Sequence, residues 1–530
     1  VAEAARDASD ALASVARGGL ANLVGAAVAA TTGFALVAVV GKLVDQRTAG
    51  ELFTATSAFL ILLGVASLGS STGLARFTLR YLAQGRAGEL RELVRAARTP
   101  VVVTSVALGV ALLVAAEDVA GRLGLHGTAG VRSVQVLAVL LPLAALSELG
   151  FAGTQAFGRM RVTVVADRVG RSIVQAVAVL VAAEIGADVL GLTVSWVAPY
   201  ALTAVVATLA LSGMVRRAAS VPAPRRAVAR EVRREYWSFT WARSIAQVLQ
   251  IVLQRADIVL VAMLLSPVEA AVYTVATRFV PLGQFAANAI QQALQPRISE
   301  LLAGNATQEA ERVFRVSTAW GVLATWPVYT VVAAASAQYL TIFGDGYRTG
   351  PAQLVVVLMA GAMMLGSAFG TLDTMLLMAG RSTTSLTNAS AALVVDVGLC
   401  LALIPPLGIV GAAVAWAASV VVRNLLGLWQ VRRTLGVSPF GRAWAVATAA
   451  NLVCFALPLG VATAAGASAG VIALLGAAGL AAYLTALAVF RRRLAMQYVV
   501  GAVTRRGSRP GRGSRPTPGS AADHEQLPTT

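Results

Sequence analysis

The hydrophobic pattern is a succession of long apolar runs cut by short, arginine-bearing breaks. Runs fall near 18–40, 52–75, 100–118, 133–156, 163–184, 190–214, 238–265, 269–296, 316–338, 350–378, 383–404, 408–431, 442–464 and 468–490. Crossing a bilayer as an α-helix takes about 20 largely apolar residues. The pattern therefore predicts an all-α polytopic membrane protein of about fourteen transmembrane helices. The positions of the basic residues test this map, because Lys and Arg accumulate in short cytoplasmic loops. With the N-terminus inside, 36 of the 43 basic residues lie in internal segments, while Lys42, Arg47, Arg122, Arg132 and Arg348 lie outside and Arg255 and Arg278 fall within runs. An even number of spans then puts both termini in the cytoplasm.

Composition agrees: 57% of residues are hydrophobic and 13% charged, with a mean hydropathy of +0.74. Soluble domains are roughly 45–50% apolar and about 25% charged. The net charge of +18 does not imply nucleic acid, since that needs basic residues gathered on a soluble face. Here they separate apolar runs. Cys400 and Cys454 sit inside runs as small hydrophobes. His126 falls in an external loop and His524 in the tail, so neither is expected to join a buried cluster, and no metal site, cofactor or catalytic group is expected. No cleavable signal pattern precedes a soluble domain, and the first run is expected to stay as a helix.

A shift of 220 residues aligns Thr54 with Thr274, Phe59 with Phe279, Leu62 with Leu282, Ala66 with Ala286, Glu89 with Glu309 and Arg95 with Arg315. The second and eighth runs correspond and traverse the membrane in the same sense, as in parallel-repeat transporters. This predicts two pseudo-symmetric lobes around a central cavity. The expected division is an N-terminal lobe at 1–215, a basic cytoplasmic linker with Pro222 and Pro224 at 216–237, a C-terminal lobe at 238–436, accessory spans at 437–490 and a disordered basic tail at 491–530.

Polar residues at bilayer depth face a cavity or one another. In the seventh run Arg243, Gln247, Gln250, Gln254 and Asp257 recur at spacings of 4, 3, 4 and 3, which puts them on one helical face. In the eighth, Thr274, Thr277, Pro281, Gln284, Asn288, Gln291 and Gln295 do the same. Two readings stay open: amides that fasten neighbouring helices, or the wall of a hydrated cavity. Two also stay open for Arg255 and Arg278, namely ion pairing with Asp257 or recognition of phosphate by the planar guanidinium fork. Asp373 and Asp396 are candidate carboxylates for proton or sodium coupling. Glu148, Asp167 and Glu184 lie nearer the run ends and are expected to be solvated.

Four strings carry a family resemblance: AGELFTATSAFLILLGVASLGS within Asp45 to Ser70; RADIVLVAMLLSPVEAAVYTVATRF from Arg255 to Phe279, with Pro296 as the expected end of that helix; IFGDGYRTG from Ile342 to Gly350; and AGRSTTSLTN with IPPLGIVGAAVAWA, from Ala379 to Asn388 and Ile404 to Ala417. In order and spacing the chain resembles the polysaccharide exporter branch of the multidrug, oligosaccharidyl-lipid and polysaccharide (MOP) flippase superfamily. The resemblance implies a flippase of the cytoplasmic membrane that carries a lipid-linked oligosaccharide of polyprenyl-pyrophosphate type by alternating access. The polar faces of runs seven and eight and the interior arginines would line its cavity. Implied partners are membrane lipids and the glycosyltransferases and polymerase of the same pathway. The alternatives are a cation-coupled multidrug antiporter or lipid II flippase of the same superfamily and, more distantly, a membrane scaffold of cell-wall assembly. The arginine-containing strings expected of the lipid II branch in the first two runs have no close match here.

Overall fold

The structure is a computed structural model that describes residues 24–218, 226–304 and 306–490. No β-strand occurs among these residues. Twelve helices are individually long and apolar enough to cross a membrane: α1 (Val24–Leu43), α2 (Gln46–Ala83), α3 (Ala87–Val114), α4 (Gly127–Ala156), α6 (Val189–Ala218), α7 (Arg226–Leu264), α9 (Thr307–Ala334), α10 (Gly350–Met378), α11 (Ser382–Leu407), α12 (Ile409–Leu435), α13 (Arg442–Ala464) and α14 (Ala469–Val489). Two interrupted helices complete the fourteen. α5 (residues 160–184) carries a π-helical stretch, Val164–Arg171, and α8 (residues 267–303) is broken between Thr277 and Val280. Both mark places where polar side chains were kept at the expense of an unbroken apolar helix.

The two copies of the repeat begin alike. Asp45 accepts a hydrogen bond from the Thr48 N–H at the start of α2, and Ser266 accepts one from the Glu269 N–H at the start of α8. Each side chain satisfies a donor that a helix N-terminus leaves free. The first segments of α2 and α8 pack directly on each other, with Gly50 against the Pro267 carbonyl. A Cβ on Gly50 would lie 1.7 Å from that oxygen. Around this contact the largest apolar cluster joins residues of α1, α2, α5 and α6 to residues of α7–α12, including Phe53, Phe279, Tyr339 and Phe343. Phe34 of α1 meets Tyr339 and Phe343 edge to face or tilted, which extends the seam. The lobes are thus closed against each other at the end opposite the arginine-rich loops.

α7 is held at both ends. Near its start, Glu235 accepts a hydrogen bond from Tyr81 at 2.8 Å and pairs with Arg80 at 2.8 Å, while Tyr236 donates to the Ser70 carbonyl at 3.0 Å. Ser244 donates to the Leu68 carbonyl. Toward its other end, Asp257 is bonded to Tyr273 of α8. α2 breaks where Leu68 and Gly69 both adopt positive φ, 48° and 60°. Gly69 is required there because Ser244 occupies the space a Cβ would take. α13 and α14 pack outside the C-terminal half, against α9 and α10, through Trp326, Ala447, Phe455 and Tyr483.

The sequence-based map shifts in three places. The linker expected at 216–237 is shorter, since α6 runs to Ala218 and α7 begins at Arg226; Pro222 and Pro224 lie outside the described residues, as do the N-terminal stretch and the tail at 491–530. α8 continues through Pro296 to Ala303 rather than ending there. His126 lies 3.1 Å from the buried Glu51 carboxylate and so does join a buried group. A loop position on the hydropathy trace says nothing about which buried acid lies beneath it.

The seam yields a stability prediction. Gly50→Ala forces backbone apart at the α2–α8 contact and is expected to lower the thermal midpoint of the purified protein, at a cost of about 1–3 kcal/mol typical of overpacking. Gly213→Ala, which meets open space, is the matched control and leaves the midpoint unchanged.

Candidate functional site

A cavity of about 760 Å³ opens within the C-terminal half. α7, α8, α9, α10, α11 and α12 line it, and Thr72 is the one described residue contributed by the first six helices. Seven of the predicted site residues come together here: Arg243, Gln247, Gln250, Gln254, Gln284, Asn288 and Gln291, with Asp373 opposite them. The helical spacing of the two stripes is what aims them at one space.

The amide question has a geometric answer. Of the amides in the two stripes, Gln291 alone fastens helices among the described residues, by donating to the Thr374 hydroxyl. Gln247, Gln250, Gln254, Gln284 and Asn288 have no side-chain hydrogen bond to protein, and Gln254 and Asn288 are solvent-exposed although deep in their helices. Helix fastening by amides occurs instead behind the cavity, where Asn388 and Gln430 exchange reciprocal hydrogen bonds of 2.5 and 2.7 Å between α11 and α12. Thr274 and Thr277, above the break in α8, point elsewhere: Thr274 is buried and Thr277 donates to the Tyr273 carbonyl.

Arg255 and Arg278 sit apart from this cavity and reach toward the other half. The Arg278 guanidinium lies against Gly33 of α1, 2.7 Å from where a Cβ would stand. Arg255 is within electrostatic reach of Tyr200 on α6 and of Arg278. Neither forms an ion pair among the described residues. Asp257 does not neutralise them by contact: its carboxylate accepts from Tyr273 and from the Ile258 N–H, each at 2.8 Å. Arg278 stands at the break in α8, which two tyrosines brace: Tyr339 donates to the Val275 carbonyl at 2.8 Å in the last turn of the first segment, and Tyr329 donates to the Val280 carbonyl at 3.3 Å at the start of the second.

The two candidate coupling carboxylates differ. Asp373 pairs with Arg423 of α12 and accepts from Ser385 at 3.3 Å. Asp396 is fully buried in α11, and both of its oxygens lack a partner. It lies within electrostatic reach of Asp257. No group of three metal-ligating side chains occurs among the described residues.

Sequence reasoning missed Arg423 by grouping it with the loop arginines. It stands nine residues before Arg432, roughly 13 Å deeper at 1.5 Å per residue, and lines the cavity. Its signal was a lone arginine far from its neighbours in an apolar run. Glu148 and Asp167 were expected at solvated ends. Glu148 is exposed as expected, but it lies within α4 rather than at its end and accepts a hydrogen bond from Ser67 of α2 at 2.8 Å. Asp167 pairs at 2.7 Å with Arg171 on the π-helical stretch of α5, and Arg171 in turn covers the Tyr200 ring.

Comparison with known proteins follows the same lines. The model of the family described as "Polysaccharide biosynthesis protein" matches residues 53–349, more than half the chain. No curated protein matches in sequence. Among solved structures, "Lipid II flippase MurJ, inward closed conformation" superposes with a TM-score of 0.70 at 11% identity, over 89% of this chain and 98% of that one. An inward-facing multidrug resistance MATE family transporter of the MOP superfamily gives 0.59 at 15% identity, over 77% and 95%. A MOP superfamily transporter from Pyrococcus furiosus gives 0.55 at 17%, over 80% and 95%. At these identities the likeness concerns the fold.

The Asp373–Arg423 pair is expected to behave as a unit. Asp373→Asn and Arg423→Gln should each lower stability, while the double variant loses less than their sum, with a coupling of about 0.5–3 kcal/mol in a double-mutant cycle of thermal or denaturant unfolding. Strict additivity would show that the two charges do not interact.

Proposed function

The chain belongs to the polysaccharide biosynthesis protein family, and from that premise we propose that it is a flippase for a lipid-linked oligosaccharide of polyprenyl-pyrophosphate type, working by alternating access in the cytoplasmic membrane. The observation that carries this reading is the pair Arg255 and Arg278: two guanidiniums at membrane depth that form no ion pair among the described residues, with Asp257 in electrostatic reach of Arg255 alone, and that reach toward the first half of the bundle. Uncompensated charge in such a place is costly, and a diphosphate offers the matching bidentate acceptor.

In this reading the arginine-rich end faces the cytoplasm, as the positive-inside bias requires. The closed seam around Gly50 and Pro267 then seals the outer side, and the cavity takes its cargo from the inner leaflet. The lobes at 1–215 and 238–436 rock against each other to expose the cargo outside, with α13 and α14 carried by the second. Asp396 supplies the coupling step, since a buried carboxylate without hydrogen bonds is held only when neutralised by a proton or a cation. Asp373, already neutralised by Arg423, is left to shape the cavity. Membrane lipids surround the bundle, and the glycosyltransferases and polymerase that make and consume the cargo are its functional partners.

Lipid II is the second cargo to consider, because the likeness to the MurJ fold covers 89% of this chain and 98% of that one. Proteoliposomes loaded with fluorescent undecaprenyl-diphosphate oligosaccharide or with lipid II separate the two. Wild-type protein is expected to expose the oligosaccharide on the far leaflet, and Arg255→Ala or Arg278→Ala to reduce the rate at least about 100-fold, in keeping with loss of a charged hydrogen-bonded group. Asp396→Asn should abolish the response to an imposed proton or sodium gradient while leaving cargo binding intact. A wild type that never exposes either lipid sinks the flippase reading, and transport of lipid II alone reassigns the cargo.

A further inference from the structure

The C-terminal cavity is separate from the two interlobe arginines, and its chemistry is of another kind. Its volume, about 760 Å³, lies within the range of about 300–1,000 Å³ common for small-molecule sites. Its charged lining is Arg243, Asp373 and Arg423, and the last two neutralise each other. What dominates the wall is five primary amides with no protein partner: Gln247, Gln250, Gln254, Gln284 and Asn288.

Each amide presents an acceptor oxygen and two N–H donors. The hydroxyls around them are differently placed, because Ser317, Thr318, Thr325 and Ser419 all donate to carbonyls of their own helices. They keep lone pairs and offer the cavity acceptors only. The site therefore suits a ligand that both donates and accepts at closely spaced points where it meets the amides, with Arg243, at the start of the α7 stripe, as a cation without an ion pair among the described residues. Hydroxyls of a saccharide meet that demand, and the partly exposed ring of Trp416 in the same wall adds an apolar surface for the C–H side of a sugar. An apolar drug would fail it, because each amide left unpaired on ligand binding loses its water at about 1–3 kcal/mol.

We propose that this cavity is the subsite for the uncharged saccharide portion of the cargo, with the diphosphate held separately by Arg255 and Arg278, and that the Asp373–Arg423 pair sets the preference for neutral over acidic sugars. The assignment rests on the flippase reading. Removing the Asp373 charge leaves Arg423 uncompensated in the wall, which invites a carboxylate in place of a hydroxyl.

The test measures binding of three probes to the full chain in nanodiscs: undecaprenyl diphosphate, the same lipid bearing a neutral disaccharide, and the same lipid bearing a disaccharide with one uronic acid. Wild type is expected to bind the neutral glycolipid at least tenfold tighter than the bare diphosphate. Gln250→Leu and Gln284→Leu each remove about threefold to tenfold of that advantage, the range of one hydrogen bond, and leave the bare lipid unchanged. Arg278→Ala weakens all three probes by the same factor. Asp373→Asn shifts the ratio of acidic to neutral glycolipid affinity upward by at least threefold, a gain that misfolding cannot produce. Equal binding of bare and sugar-bearing lipids by wild type overturns the saccharide subsite alone. So does an equal loss for all probes in the glutamine variants, and an unmoved ratio in Asp373→Asn overturns the selectivity role of the pair. Failure of wild type to bind even the bare diphosphate overturns the flippase reading and the subsite with it.

Discussion

Hydrocarbon does not solvate charge, and the interior of this bundle is organised by that one restriction. An ionised side chain at bilayer depth must find an opposite charge, a set of hydrogen bonds or water. The protein uses all three, in different places. Asp373 and Arg423, and Asp167 and Arg171, satisfy it by pairing. Asp257 satisfies it with a tyrosine hydroxyl and a backbone N–H. The amides of α7 and α8 satisfy it by facing open space. Arg255 and Arg278 form no ion pair among the described residues, and neither oxygen of Asp396 has a partner there; in the proposed transport cycle these are the groups whose demand is met when cargo or a coupling ion arrives.

The same restriction governs where the helices break. A spanning helix that stops inside the membrane exposes carbonyls and N–H groups that lipid cannot satisfy. At the gap in α8 the Val275 carbonyl, in the last turn before the break, is met by Tyr339, and Tyr329 braces the start of the next segment at the Val280 carbonyl. At the gap in α2 the Leu68 carbonyl is met by Ser244. Both breaks are thus secured by a neighbouring helix, α9 or its extension in one case and α7 in the other. Packing of small residues completes the arrangement, since Gly50 lets two helices meet backbone to backbone at the seam.

Much of the architecture was legible from hydropathy and arginine placement. Fourteen helices, the two polar stripes and the correspondence of α2 with α8 all follow from period and spacing, because lipid enforces them locally. What the pattern could not convey was partnership. Asp257 looked like the natural counter-ion of Arg255, two residues away, yet neighbours at that spacing project from different sides of a helix, and a tyrosine sixteen residues along α8 took the carboxylate. Arg423 and Asp373 lie 50 residues apart on different helices, a relation with no trace in local spacing. Glu148 read as a solvated end because run boundaries are set by average hydropathy, which one acid in an apolar helix displaces.

α7 has a mechanical property that follows from how it is held. Glu235, Tyr236 and Ser244 bind its first half to the helices of the opening half, and Asp257 binds its last third to α8. A rod gripped by two bodies that turn against each other must take up the turn along its free length. Between the two grips lies the stretch from Gln247 to Gln254, whose amides face the cavity while Ile251 packs on Gly64 of α2. Bending or twisting it redirects those amides, so occupancy of the cavity and elastic strain in the helix are two readings of one coordinate. In the proposed reading, cargo held in this cavity rests directly on the helix that joins the two halves.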